Sequence, residues 1–244
     1  MAESRALLLI ADIGGYTRYM TLHRLGLAHA QANIARLLEA VIDAAPGLEL
    51  IEIEGDAAFF ASPQKAGQDA AAATGAKEAS IAMHRAFHER QQRMVAGNLC
   101  SCGGCVQAGE LKLKCVAHIG DVAEQTIRDR KTLAGVDVIL VHRLLKNAVP
   151  VPEYVLLSED LYRSGAVGDA REVEQELEGL GAMRAYFVDL SEEAEPLPPA
   201  QAPSLGKRLG ETFGVMGRGM PYLLGLKRRQ AEIHWPLRDS WLGW

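Results

Sequence analysis

Ala6-Leu7-Leu8-Leu9-Ile10-Ala11-Asp12-Ile13-Gly14-Gly15-Tyr16-Thr17 decides how this chain is read. The apolar run from Ala6 to Ile10 suits a buried strand and falls far short of the roughly 18–20 residues of a membrane-spanning helix. An acid and two glycines end it. A strand over residues 5–12 therefore delivers the Asp12 carboxylate to its tip and turns at once towards a helix from Tyr16. The backbone N–H groups of Gly14, Gly15, Tyr16 and Thr17 then sit where a helix start can cradle phosphate. Asp12 can hold a divalent cation over them. The plainer alternative is that Asp12 caps the helix and the glycines only turn the chain.

A second strand-end carboxylate lies downstream. An amphipathic helix from about Ala28 to Ala44 repeats Ile34, Leu37, Leu38, Val41 and Ile42 at helical spacing, and Pro46-Gly47 ends it. Leu48 to Glu54 then alternates apolar and acidic residues, the period of a half-buried strand. Gly55-Asp56 is a two-residue turn signal, and Ala57–Ala61 reads as the return strand. Asp56 is thus expected at the tip of a hairpin.

Ala66 to about Met94 reads as one long alanine-rich helix with His84 and His88 one turn apart on one face. In Leu111–His118, Leu111, Leu113, Cys115 and Ala117 alternate with Lys112, Lys114, Val116 and His118. Gly120 reads as a turn into a further strand, Asp121 to about Arg128. A helix follows from Asp137 to about Leu145, then a short strand Tyr154–Leu157 and a short helix Glu159–Arg163. Glu172–Leu177 with Arg184–Leu190 forms a last hairpin. This order predicts an α+β fold with a ferredoxin-like core, a mostly antiparallel sheet carrying helices on one face.

The chain has 244 residues and a net charge of −5, so its bulk composition offers no nucleic-acid signal. The N-terminus lacks the pattern of a signal peptide, which leaves the cytoplasm as the default location. Residues 1–191 read as one domain, interrupted by a Cys-rich insert at about 96–110. Residues 192–204 read as a linker, acidic and then rich in proline and alanine. In residues 205–244, seven Lys and Arg against three acids give +4, leaving −9 for residues 1–204. All three tryptophans lie there too. Such a basic, aromatic tail suits docking on an acidic partner, on a sister subunit or on an anionic membrane surface.

Cys100, Cys102 and Cys105 place three thiols in six residues with two glycines between them. In a reducing compartment that pattern points to a metal before a disulfide. A structural Zn²⁺ needs a fourth ligand, for which His88 is the first candidate and His84 the second. Cys115 shares a face with Leu111 and Leu113 and reads as core. His118 reads as a satisfied strand histidine.

Three blocks resemble the class III nucleotidyl cyclases: Ala11–Thr17 their first motif, Glu52-Ile53-Glu54-Gly55-Asp56 their hairpin motif, and Gly135–Leu144 their helix motif. Weaker similarities at His118–Val122, Tyr154–Tyr162 and Gly179–Val188 keep the same order across residues 5–190. The chain is most similar to a bacterial family of cyclase-like proteins with a Cys-x-Cys-x-x-Cys insert. The resemblance implies a lyase that makes a 3′,5′-cyclic nucleotide from a purine triphosphate. It implies two Mg²⁺ or Mn²⁺ ions held by Asp12, Asp56 and the Ile13 carbonyl. It places phosphates on Gly14, Gly15, Tyr16 and Thr17, the purine at Glu52 and Thr132, and α-phosphate charge at Arg143. Glu52 favours GTP over ATP, and a homodimer is implied because the family's sites lie between two subunits. The chain departs from the pattern at Ile139, where the family carries an Asn, and at Glu178 and Leu180, where it carries lysines.

Overall fold

The computed structural model describes residues 2–23, 27–65, 67–97, 107–165, 167–194 and 197–198. In chain order these form β1 (Ala2–Gly14), α1 (Tyr16–Leu22), α2 (Leu27–Asp43), β2 (Glu49–Glu54), β3 (Ala57–Pro63) and α3 (Asp69–Gly97). A 3₁₀ turn (Ala108–Glu110) leads into β4 (Lys112–Ile127), β5 (Arg130–Ala134), α4 (Val136–Arg143), β6 (Tyr154–Ser158), α5 (Glu159–Ser164), β7 (Arg171–Leu177), β8 (Gly181–Asp189) and α6 (Leu190–Glu193). The strands join in one sheet of order β2-β3-β1-β4-β6-β8-β7, with β5 paired to β4. Every pairing is antiparallel except β4 with β6. A parallel pair needs a crossover, and here β5 and α4 supply it.

β1 is the centre of this sheet. It pairs with β3 from Ala6↔Pro63 to Asp12↔Ala57, and with β4 along its length from Ala2↔Glu124 to Gly14↔Lys112. Its apolar run is continuous because both of its faces are covered. Leu7, Leu9, Ala11 and Ile13 pack with Ile34 and Leu37 of α2 and Met83 and Phe87 of α3. Leu8 and Ile10 pack on the other side with Phe59, Val116, Val141 and Leu156. Truncating a residue so enclosed, such as Leu9→Ala, costs about 2–5 kcal/mol.

The α+β class and the mostly antiparallel sheet are those the sequence implies. The helical layer differs in one respect: α1, α2, α3 and α5 cover one face, while α4 lies on the other through Val141 and Leu144. Gly120 is not a turn. β4 runs unbroken through it, paired to Ala6 of β1, and the chain reverses at Arg128-Asp129, where Arg128 has φ 57°. What Gly120 provides is space: a Cβ there would lie 2.6 Å from the Asp137 Cβ and closer still to its carboxyl group. β2 does not keep the expected alternation: it is an edge strand whose register slips between Leu50 and Glu52, leaving only Ile51 partly buried and Ile53 51% exposed. Leu190 starts α6 rather than ending a strand. The acids expected to open the linker lie in that helix, where Glu193 pairs with Lys77 of α3 at 2.9 Å and Glu192 pairs with Arg171. The rest of the linker beyond residues 197–198, and the tail over residues 205–244, lie outside the described residues.

Candidate functional site

The first cluster forms where three chain segments meet. Asp12 lies near the tip of β1, opposite Ala57 of β3 and Lys114 of β4. Asp56 follows Gly55, whose φ of 64° makes the hairpin turn, and its carbonyl accepts from the Ile13 N–H at 3.1 Å. That bond ties the hairpin tip to the tip of β1. Burial, and then the negative charge of Asp12, push the Asp56 carboxyl up to about 6. The Lys114 ammonium lies 2.9 Å from Asp12 Oδ2. Burial is the largest single influence and works against that ammonium, but the bond to Asp12 and the charges of Asp12, Tyr154 and Asp56 together outweigh it and hold its pKa above the ordinary value.

The structure therefore brings Asp12, Ile13 and Asp56 together as the sequence implies, and adds a cation between strands. All these donors are hard oxygens, which suits Mg²⁺ or Mn²⁺. Two carboxylates and a carbonyl oxygen converging at adjoining strand tips are a donor set of the kind a divalent ion takes. Beside it, Gly15 takes φ 88°, and its carbonyl accepts from Tyr19 N at 3.0 Å to begin α1. Gly15 and Thr17 are exposed, and the Tyr16 hydroxyl reaches Gln31 Oε1 at 3.4 Å.

A second group surrounds Arg143, the last residue of α4. Its guanidinium lies on the turn between β7 and β8: a Cβ on Gly179 would fall 2.9 Å from Arg143 Nη1. Gly179 has φ 72°, so glycine serves both the turn and the close approach. Glu178 and Leu180 flank it, both exposed. Ile139, one turn earlier on α4, is 49% exposed. Among the described residues, the Arg143 side chain has no acid partner and no bond to Asp12 or Asp56.

Glu52 and Thr132 lie on two strands in contact, β2 and β5. Glu52 is exposed, and Thr132 donates its hydroxyl to the Gln125 carbonyl at 3.3 Å. The Lys131 ammonium clamps this corner, 2.9 Å from Glu49 and 3.0 Å from Glu124.

His118 is a buried and satisfied strand residue. Its Nδ1 meets Ser158 Oγ at 2.7 Å and its Nε2 meets Asp137 Oδ1 at 3.1 Å. Cys115 is wholly buried core, with burial pushing its thiol up to about 12. Cys100, Cys102 and Cys105 lie outside the described residues. His84 and His88 do share a face of α3, and both reach Glu153, the residue before β6. No motif flags Glu153. Lys114 stands on one face of an alternating strand, and its pairing with Asp12 was hidden because that partner is about a hundred residues away.

This fold is that of class III nucleotidyl cyclase catalytic domains. The guanylyl cyclase Cya2 aligns with TM-score 0.57 and 15% identity over 83% of this chain and 98% of that one. The guanylate cyclase domain of RhGC from Catenaria anguillulae, in complex with GTP, aligns with TM-score 0.55 and 17% identity over 77% and 97%. In sequence, residues 34–154 match the family described as "Protein of unknown function (DUF2652)". "Uncharacterized protein Rv2561/Rv2562" of Mycobacterium tuberculosis is 37% identical over 202 residues, 81% of this chain and 92% of that protein. The chain belongs to the family of that mycobacterial protein.

Proposed function

We propose that this chain binds a purine nucleoside triphosphate, GTP before ATP, at a homodimer interface, and cyclises it slowly or not at all. The observation that carries this reading is the Asp12–Asp56 pair at adjoining strand tips in a cyclase fold, with Asp56 raised to about 6. Asp12, Asp56 and the Ile13 carbonyl would hold the divalent ions. When bound, such ions neutralise phosphate charge and activate the ribose hydroxyl. The amides of Gly14 to Thr17 bind phosphate oxygens. Glu52 accepts from the guanine edge, with Thr132 beside it. Arg143 steadies negative charge on the α-phosphate, and its lack of an acid partner among the described residues supports its facing a ligand held by the sister subunit. We place the protein in the cytoplasm; no helix among the described residues is long and apolar enough to cross a membrane. The Cys-x-Cys-x-x-Cys segment is an insert of this branch of the fold, with soft-metal chemistry of its own.

A second reading, a regulatory module that binds nucleotide or metal without turnover, is favoured by specific residues. Ile139 offers no hydrogen bond where the ribose would be positioned, and Glu178 adds negative charge beside Arg143. Loss of one orienting donor costs about 10²–10³ in rate. The test is to incubate the full chain with GTP or ATP and Mn²⁺, measuring cyclic product and nucleotide binding separately. Binding with slow or no product supports the reading. Product that persists in Asp56→Ala overturns the metal assignment, and absence of both binding and product overturns the whole.

A further inference from the structure

We infer that His84, His88 and Glu153 form a three-ligand zinc site, which pins α3 to the start of β6. The argument begins with Gln91. Its Nε2 donates to the carbonyls of Ala108 and Leu111, both at 2.8 Å, so its amide orientation is fixed. Its oxygen then faces His88 Nδ1 at 2.9 Å, and that nitrogen must carry the proton. A neutral His88 consequently presents the lone pair of Nε2 to Glu153 Oε1, 2.5 Å away. Two acceptors face each other, and only an added proton or a cation reconciles them.

His84 decides between these. It is 5% exposed, and among the described residues neither of its buried ring nitrogens has a hydrogen-bond partner. Its Nε2 lies 3.4 Å from the same Glu153 oxygen. A proton on His88 leaves His84 unsatisfied, whereas one ion serves all three groups. Two donors on a tetrahedral zinc are about 3.3 Å apart, given Zn–N and Zn–O lengths of about 2.0–2.1 Å. The His84–Glu153 separation already meets this, and the His88–Glu153 separation has about 0.8 Å to open. One ligand atom from each residue lies within 4.8 Å of the others.

The remaining contacts brace the set. Glu153 Oε1 accepts from Leu113 N at 3.3 Å, and Oε2 accepts from Lys112 Nζ at 3.2 Å. Gln91 orients His88 as outer-shell carbonyls orient metal-bound histidines. Two imidazoles and a carboxylate suit a borderline divalent ion, Zn²⁺ first. The histidines also line a cavity of about 420 Å³ with Ile81, Arg85, Gln92 and Ser191, which leaves room for water at the fourth position. Arg85 follows His84 where helical zinc hydrolases carry a glutamate base, so the site binds zinc without hydrolysing through it.

The test is zinc titration of the full chain and its variants, each checked for folding by its thermal melt in chelator. Wild type binds zinc tightly. His84→Ala and Glu153→Gln each weaken that affinity by about a hundredfold or more, and Gln91→Leu weakens it by about 10–100-fold. Serine at Cys100, Cys102 and Cys105 together leaves this ion in place, and its Co²⁺ form shows no sulfur-to-cobalt charge-transfer band. Zinc that survives both His84→Ala and Glu153→Gln, zinc lost only with the cysteines, or no zinc bound by wild type would each overturn the assignment.

Discussion

Lys114 Nζ stands 2.9 Å from Asp12 Oδ2, so a cation from β4 already occupies the β1 carboxylate. The pair is mostly buried, with side-chain exposures of 25% and 17%. Its attraction is therefore larger than that of a surface pair, and it competes directly with any divalent ion. Lys114→Met is expected to tighten Mn²⁺ binding about tenfold and to lower metal-free stability by about 1–2 kcal/mol, as Asp12 and Asp56 lose their shared cation. Mn²⁺ titration and urea unfolding in chelator measure the two effects. Weaker Mn²⁺ binding in the variant would show that Lys114 assists the ion rather than opposing it.

Asp56 provides a pH signature. Its carboxyl is raised from 3.8 to about 6, by burial first and by Asp12 second. Between those values the native state binds more protons than the unfolded chain. Stability from this group therefore rises as pH falls through 6 and levels off below 3.8. Since the group is only half buried, the gain is about 1–2 kcal/mol after allowance for solvent screening. Asp56→Asn, measured in chelator, is expected to be about 1 kcal/mol more stable than wild type at pH 7, with the difference closing by about pH 4. An equal or less stable variant at pH 7 would mean that Asp56 is not held under this strain.

The two carboxylates were legible because each sits where a period changes: Asp12 where an apolar strand meets glycines, Asp56 where an alternating strand meets a turn. Local pattern also gave the long α3 and the His84–His88 face. What local pattern could not give is pairing across distance. The Lys114–Asp12 bond depends on β1–β4 register, and Glu153 reaches His88 from 65 residues away. Gly120 misled for a related reason. A glycine inside a strand looks like a break, yet its purpose is set by Asp137, which arrives later in the chain on α4. The position of α4 on the second face was equally hidden, since its apolar residues say only that it packs somewhere.

Gly120 carries its own prediction. Asp137 accepts from the Asp121 N–H at 2.6 Å and from His118, so its carboxyl cannot move away without leaving the buried His118 nitrogen unpaired. Gly120→Ala is expected to destabilise by about 2–3 kcal/mol through overpacking. Asp137→Ala removes the nearest part of the obstruction, the carboxyl group, together with its hydrogen bonds, and leaves the Cβ. The double variant should therefore lose clearly less than the sum of the two single losses, by at least about 1 kcal/mol in a double-mutant cycle from urea unfolding. Strict additivity would place the strain elsewhere.

If the chain holds a purine triphosphate but turns it over poorly, the deficit lies with Ile139 and Glu178. Both side chains are accessible, Ile139 at 49% and Glu178 on the exposed turn beside Arg143, so replacing them costs little stability. Ile139→Asn restores a donor able to orient the ribose. Glu178→Lys exchanges a charge that repels phosphate for one that attracts it, on the turn where Arg143 already lies. The double variant is expected to form cyclic product from GTP and Mn²⁺ about 10²–10³ times faster than wild type, and to lose that gain on addition of Asp56→Ala. Nucleotide affinity should rise with Glu178→Lys, while Ile139→Asn acts chiefly on rate. A folded double variant with unchanged turnover would place the block in the Lys114–Asp12 pair instead, and Lys114→Met in that background would then be the change that releases it.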